Sequence, residues 1–200
     1  MSSRDEILTS IRSNLPRVDR PLPCVPAFDD EPPASLLDAF KANLRRMGGM
    51  FLEPPTVGNI LAPVRAKIVG AKVVCSVVPE ITGNRDIAET GAPRDLADVD
   101  FAIVRASFGV AETDSVLLSD GNLRVNSVAY LAQHLIVLLD PTDIVLNLHH
   151  AYRRPEFHSG RYACFHTGPS ATADIEGVLI HGAQGVRSLS VLPAARGSRD

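Results

Sequence analysis

Short apolar runs alternating with helical stretches limit the fold of this chain more than any other feature. Met50-Phe51-Leu52 reads as a strand, Thr56 to Ile68 as a helix despite Pro63, and Lys72 to Val78 as a strand of β-branched residues. Further strands are expected at Phe101 to Val104, His134 to Leu139, Tyr162 to Phe165 and Leu189 to Leu192, with a helix from Thr142 to about Tyr152. Such an order belongs to an α/β protein with three layers, α/β/α, around a mainly parallel sheet. Asp120-Gly121, between Val116-Leu117-Leu118 and Leu123-Arg124-Val125, reads as the tight turn of an interrupting hairpin. Upstream, Leu36, Leu37, Phe40, Leu44 and Met47 fall at helical spacing over Ala34 to Met47, and Gly48-Gly49 is the expected stop.

The amino-terminal part follows different rules. Ser3-Arg4-Asp5-Glu6 fits a capping box, and Ile7, Leu8, Ile11 and Leu15 form one apolar stripe before Pro16 ends the helix. Six prolines between Pro16 and Pro33 predict an extended arm, because proline cannot continue a helix or a sheet ladder. The chain therefore divides into a helix and proline-rich arm, residues 1–33, and a single α/β domain, residues 34–200. The arm is either a loosely attached tail or a clasp between copies in a homo-oligomer.

Composition removes several classes of function. Two hundred residues with 45% hydrophobic content can bury a sizeable core. A net charge of -3 without blocks of like sign, and only 5% aromatic residues, give nucleic acid neither an electrostatic footprint nor stacking platforms. The start lacks an apolar signal segment, and runs such as Leu135 to Leu139 are too short to span a bilayer, so a cytoplasmic location is expected. Cys24, Cys75 and Cys164 form no Cys-x-x-Cys pair and cannot build a four-thiolate zinc or iron–sulfur site in one chain. Cys75 lies in an apolar run and reads as core. Five of the six histidines lie between His149 and His181, but none forms a His-x-x-x-His pair, and no metal centre is expected. Neither a Gly-x-Gly-x-x-Gly nor a Walker loop is present.

Polar groups crowd instead into Phe165 to Gly177. Gly168-Pro169 breaks a strand there, placing Ser170, Thr172, Asp174 and Glu176 in a crevice past its end, where open α/β sheets bind ligands. His166, just before Gly168, is the histidine best placed to touch such a ligand. Ser170 lacks the second glycine of a hydrolase elbow and is not an acyl-transfer serine. A plainer alternative makes Ser170 or Thr172 the cap of a turn or short helix. Glu112-Thr113 follows Phe108-Gly109-Val110-Ala111, where a carboxylate can be partly buried and act as a base, or can brace the turn before Val116. Arg124 is the candidate guanidinium for Glu112 or for a ligand carboxylate.

The segment Gly168-Pro169-Ser170-Ala171-Thr172-Ala173-Asp174-Ile175-Glu176-Gly177, followed by Gly182, Gly185 and Leu189 to Leu192, resembles the closing signature of the lactate-utilisation protein C family. Val110-Ala111-Glu112-Thr113 with Val116-Leu117-Leu118 resembles that family's Ala-Glu-Thr-Gly-Thr segment, and Arg124, Ser127 and His134 to Val137 fall at its arginine, serine and His-Ile-Val-Val strand. The likeness covers about Val99 to Pro193. The chain has Asp114 and Ser115 where the family has glycine and threonine, and Gln184-Gly185-Val186 where it has His-Gly-Pro. The resemblance implies the layered fold of ribose-phosphate isomerases, glucosamine-phosphate isomerases and CoA transferases. It also implies a role in L-lactate oxidation to pyruvate beside separate iron–sulfur proteins, which would carry the clusters this chain has no ligands for. The expected ligand is a small organic anion, held by Thr113, Arg124, His166, Gly168, Ser170, Thr172, Asp174 and Glu176, with Glu112 as candidate base. A stand-alone enzyme, or a sensing module, for a small organic acid, sugar phosphate or thioester is the alternative.

Overall fold

The computed structural model describes residues 2–16, 21–173 and 176–197. Its strongest organising element is β6, His134–Leu139, whose Leu135 to Leu139 are all at most 1% exposed. Leu135, Val137 and Leu139 face one hydrophobic core and Ile136 and Leu138 the other, as strand alternation requires. Each such side chain contributes about 1.5–3 kcal/mol on burial, which draws this strand to the middle of the sheet.

In chain order, α1 (Ser3–Ser13), α2 (Leu36–Arg46), β1 (Met50–Phe51), α3 (Ala62–Lys67), β2 (Val74–Ser76) and β3 (Phe101–Arg105) precede β4 (Gly109–Val110), β5 (Val116–Ser119), α4 (Asp120–Leu123), α5 (Val128–Leu131) and β6. Then follow β7 (Ile144–Val145), α6 (Leu148–Ala151), α7 (Pro155–His158), β8 (Ala163–His166), β9 (Ala171–Thr172), β10 (Ile180–His181) and β11 (Ser188–Pro193). The five-stranded sheet has the order β1-β11-β6-β3-β2, and every pair in it is parallel. Val64 of α3 packs into the core on one face, while Phe40 and Leu44 of α2 pack into the core on the other, giving the mixed α/β layering expected of the sequence. A mixed four-stranded sheet, β7-β4-β5-β8, adds Val116 and Leu118 to the α2-side core and turns Phe108, Val110 and Leu117 outward against Ala151 and Phe165.

Local chemistry shifts several sequence expectations. The capping box closes one residue earlier than read, with Ser2 as cap and Asp5 as its partner. Helix α3 occupies only the last part of Thr56 to Ile68, with Pro63 tolerated in its first turn. Asp120-Gly121 opens α4 rather than a hairpin: the Asn122 Oδ1 accepts from the Ser119 N–H at 3.0 Å and hydroxyl at 2.8 Å, and Leu123 is buried. The helix expected from Thr142 to Tyr152 is broken in two. Asp140 accepts from the Thr142 amide at 3.0 Å, Ile144 and Val145 pair with β4, and Asn147 caps the short α6. Ala171–Thr172 pairs with β10 as a two-stranded ribbon, entered through the Ser170 N–H to Val186 O bond at 3.0 Å.

The arm forms no helix or strand among residues 21–33, yet it touches the domain. Asn147 Nδ2 donates to the carbonyls of Ala27 (2.7 Å) and Phe28 (3.0 Å), and the Phe28 and His149 rings lie 4.7 Å apart. Helix α1 buries none of its residues. Cys75 is fully buried in the core.

Candidate functional site

The candidate site begins at an antiparallel pair. Val116 of β5 pairs with His166 of β8, so the residues just before β5 and those just after β8 emerge side by side. The Ser115 Oγ lies 2.5 Å from the Thr167 Oγ1 and 2.8 Å from the Thr113 Oγ1, which makes a row of three hydroxyls. The two polar segments singled out in the sequence, far apart along the chain, therefore converge.

Helix α2 closes the other side. Asn43, one turn before its end, donates from Nδ2 to the carbonyls of Ala111 (2.8 Å) and Glu112 (3.0 Å), and Arg46 donates to Asn43 Oδ1 at 3.0 Å. Arg46, Met47, the three hydroxyls, Asp114 and Glu112 line a cavity of about 390 Å³. Arg46, Met47 and Thr167 also line a second cavity of about 510 Å³, which continues past His166, Gly168 and Ser170 to Tyr130, Cys164 and Gly185. Its walls include residues that lead into three parallel strands, Met47 before β1, Tyr130 before β6 and Val186 before β11. With respect to the large sheet the cavity thus borders the entering ends of strands, not the carboxyl ends the sequence reading pointed to; the strand end it does follow is that of β8.

Backbone conformation makes this possible. Gly168 has φ 57°, and a Cβ there would meet the Met47 carbonyl oxygen at 2.5 Å, so only glycine lets β8 turn this close to α2. Asp114 also has a left-handed φ of 51°. Aspartate tolerates that region better than most residues, which explains how this chain accommodates it in the turn before β5.

Two buried groups give the cavities their chemistry. Asp114 is 0% exposed and neither carboxylate oxygen has a hydrogen-bond partner. Burial pushes its acid up to about 7; the Gly168 N–H and the Arg46 guanidinium oppose the shift from nearby without closing a hydrogen bond. His166 has a buried Nε2 without a partner, its ring is 4.9 Å from that of Tyr130, and burial lowers it to about 4. It is a neutral imidazole near pH 7. The Tyr130 and Tyr162 hydroxyls touch each other beside it.

The residues expected at the site divide as follows. Glu112, Thr113, His166, Gly168 and Ser170 line one or other cavity. The Glu112 Oε2 accepts the Leu148 N–H at 3.3 Å, the bracing role weighed against that of a base. Arg124 lines neither cavity and is exposed beyond α4 with φ 59°. It follows the far end of β5, about 10 Å along the strand from the hydroxyl row, and Arg46 holds the place assigned to it. Thr172 and the exposed Glu176 line neither cavity, and Asp174 lies outside the described residues. Among the described residues no three of His, Cys, Asp and Glu gather as a metal site, and no helix is long and apolar enough to cross a membrane. Arg46 and Asp114 were missed by sequence reading. In the sequence Arg46 reads only as a basic residue in the last turn of α2.

Comparison with known proteins agrees with this architecture. The family model described as the LUD domain matches residues 39–192. A crystal structure titled as a DUF162 family protein from Deinococcus radiodurans superimposes with a TM-score of 0.58 at 12% identity, over 84% of this chain and 98% of that one, a likeness of fold. No curated protein matches the sequence.

Proposed function

Since the chain belongs to the LUD-domain family, we propose that it serves lactate utilisation by binding a small organic anion in the joined cavities beside Arg46. The observation that carries this reading is the convergence of a guanidinium and three hydroxyls on one hollow: Arg46 offers charge and a planar fork of donors, and Thr113, Ser115 and Thr167 offer hydrogen bonds that a carboxylate accepts. The ligand class that suits both the family and the donors is a 2-hydroxy or 2-oxo monocarboxylate such as L-lactate or pyruvate. The resemblance to the lactate-utilisation protein C family supports work in the cytoplasm beside separate iron–sulfur proteins, which would carry the electrons while this chain holds or presents the acid. Glu112, whose Oε2 accepts the Leu148 N–H, lines the same cavity and is the base on which the stand-alone alternative depends.

A thermal-shift titration tests the reading. A ligand at a hundred times its Kd stabilises by about 2.7 kcal/mol, or about 5–10 °C for a domain of this size. L-lactate or pyruvate should give such a rise, neutral lactamide should not, and Arg46→Ala should remove the effect. No rise with either acid overturns it. Turnover of either acid by the isolated chain, lost in Glu112→Gln, would favour the stand-alone enzyme.

A further inference from the structure

We propose that Asp114 is the proton-donating wall of this site: in its acid form it gives a hydrogen bond to an oxygen of a bound 2-oxo or 2-hydroxy monocarboxylate while Arg46 takes that ligand's charge. This rests on the reading that the cavity holds a small anion, and adds that the anion is captured together with a proton.

Position is the first support. Asp114 is sealed from solvent, lines the same cavity as Arg46 and the hydroxyl row, and leaves both carboxylate oxygens without a partner. A buried polar group without a partner is costly, and an ionised one more so; the Gly168 N–H and the Arg46 guanidinium approach Asp114, yet both of its oxygens stay without a closed hydrogen bond and can meet a ligand. The backbone supplies a second support. At φ 51° the position suits glycine, and aspartate adds local strain to the burial cost.

The surroundings decide which form of Asp114 meets a ligand. Arg46 faces it from α2, Glu112 lies on its own turn, Thr113 and Ser115 flank it, and Thr167 with the Gly168 N–H approaches from the end of β8; His166, beyond Thr167, is neutral. Among the described residues that line the cavity, only Arg46 offers positive charge. A monocarboxylate arriving beside an ionised Asp114 would meet two like charges with one counter-charge, whereas the acid form turns repulsion into a hydrogen bond. Burial already holds the acid near pH 7, so a ligand that accepts its proton's hydrogen bond raises it further and draws in a proton wherever the free site has lost one.

Isothermal titration calorimetry of the full chain with pyruvate, in two buffers of different ionisation enthalpy, counts that proton. At about pH 8 binding should take up close to one proton per pyruvate, and Kd should rise about tenfold per pH unit above about pH 7. In Asp114→Asn, which cannot titrate, proton uptake and the pH dependence of Kd should both be gone. Asp114→Gly, which the backbone conformation favours, should weaken binding about tenfold or more near pH 6. Pyruvate binding by the wild type with no net proton uptake, or uptake that survives in Asp114→Asn, overturns the role of Asp114 and leaves the anion site standing. No binding of pyruvate at any pH overturns both.

Discussion

Asp114 and His166 oppose each other in the acid range, and their balance is visible without any ligand. Burial raises the folded-state acid of Asp114 to about 7 from the 3.8 of a free side chain, so the folded protein binds the extra proton between those values and its stability falls as pH rises through them. His166 is lowered to about 4 from 6.5, so the unfolded chain binds the extra proton and stability rises with pH across that window. Each contribution is on the order of a few kcal/mol, and the two largely cancel from about pH 4 to 6.5. Asp114→Asn should expose the histidine alone: urea midpoints of the variant should climb from about pH 4 to 6.5, and at about pH 8 it should be more stable than the wild type. A variant that tracks the wild type at every pH would show that Asp114 is not buried as described. This residue also marks the limit of what the sequence discloses. Glu112-Thr113 and His166 to Ser170 were legible as polar breaks in apolar surroundings. Asp114, by contrast, reads as one more turn carboxylate until tertiary packing seals it, and Arg46 reads as a helix end until Asn43, bonded to the Ala111 and Glu112 carbonyls, fixes that end of α2 beside the hydroxyl row.

At the scale of elements, the site exists because β5 and β8 pair antiparallel and because Gly168 lets the chain pass under the end of α2. Gly168→Ala puts a Cβ within 2.5 Å of the Met47 carbonyl oxygen and holds an L residue at positive φ. The conformational penalty alone is about 1–2 kcal/mol, and displacement of α2 adds to it, so the melting temperature should drop by at least about 3 °C and the anion-induced stabilisation should disappear. A variant that melts and binds like the wild type would contradict the close passage of the two segments. The parallel core strands were legible because their apolar runs stand out from polar flanks, and α2 because its apolar stripe ends at Gly48-Gly49. The hairpin expected at Asp120-Gly121 failed since a side chain, Asn122, captured the strand-end amide and hydroxyl of Ser119, and the helix expected after Thr142 failed since β-branched Ile144 and Val145 found a neighbouring strand. Both outcomes turn on tertiary partners that local spacing does not contain.

At the scale of the whole molecule, the two described parts of the amino-terminal segment, α1 and residues 21–33, should behave differently. Helix α1 buries nothing, whereas Ala27 to Asp29 meet Asn147, His149 and His150. Deleting residues 1–20 should leave the melting temperature within about 2 °C of the full chain. Deletion through residue 30 should lower it by a few degrees while the transition stays cooperative; loss of cooperativity would make the arm part of the core. For the domain itself, the central claim is that Arg46 and the hydroxyls of Thr113, Ser115 and Thr167 receive a small carboxylate. The most direct measurement is a pyruvate titration of isotope-labelled protein followed by backbone amide and arginine side-chain NMR signals. Saturable shifts should concentrate at Thr113 to Ser115, Thr167, Gly168 and the Arg46 Nε–H, with Arg124 unmoved. Shifts centred on Arg124 and α4, or none that saturate, would contradict it.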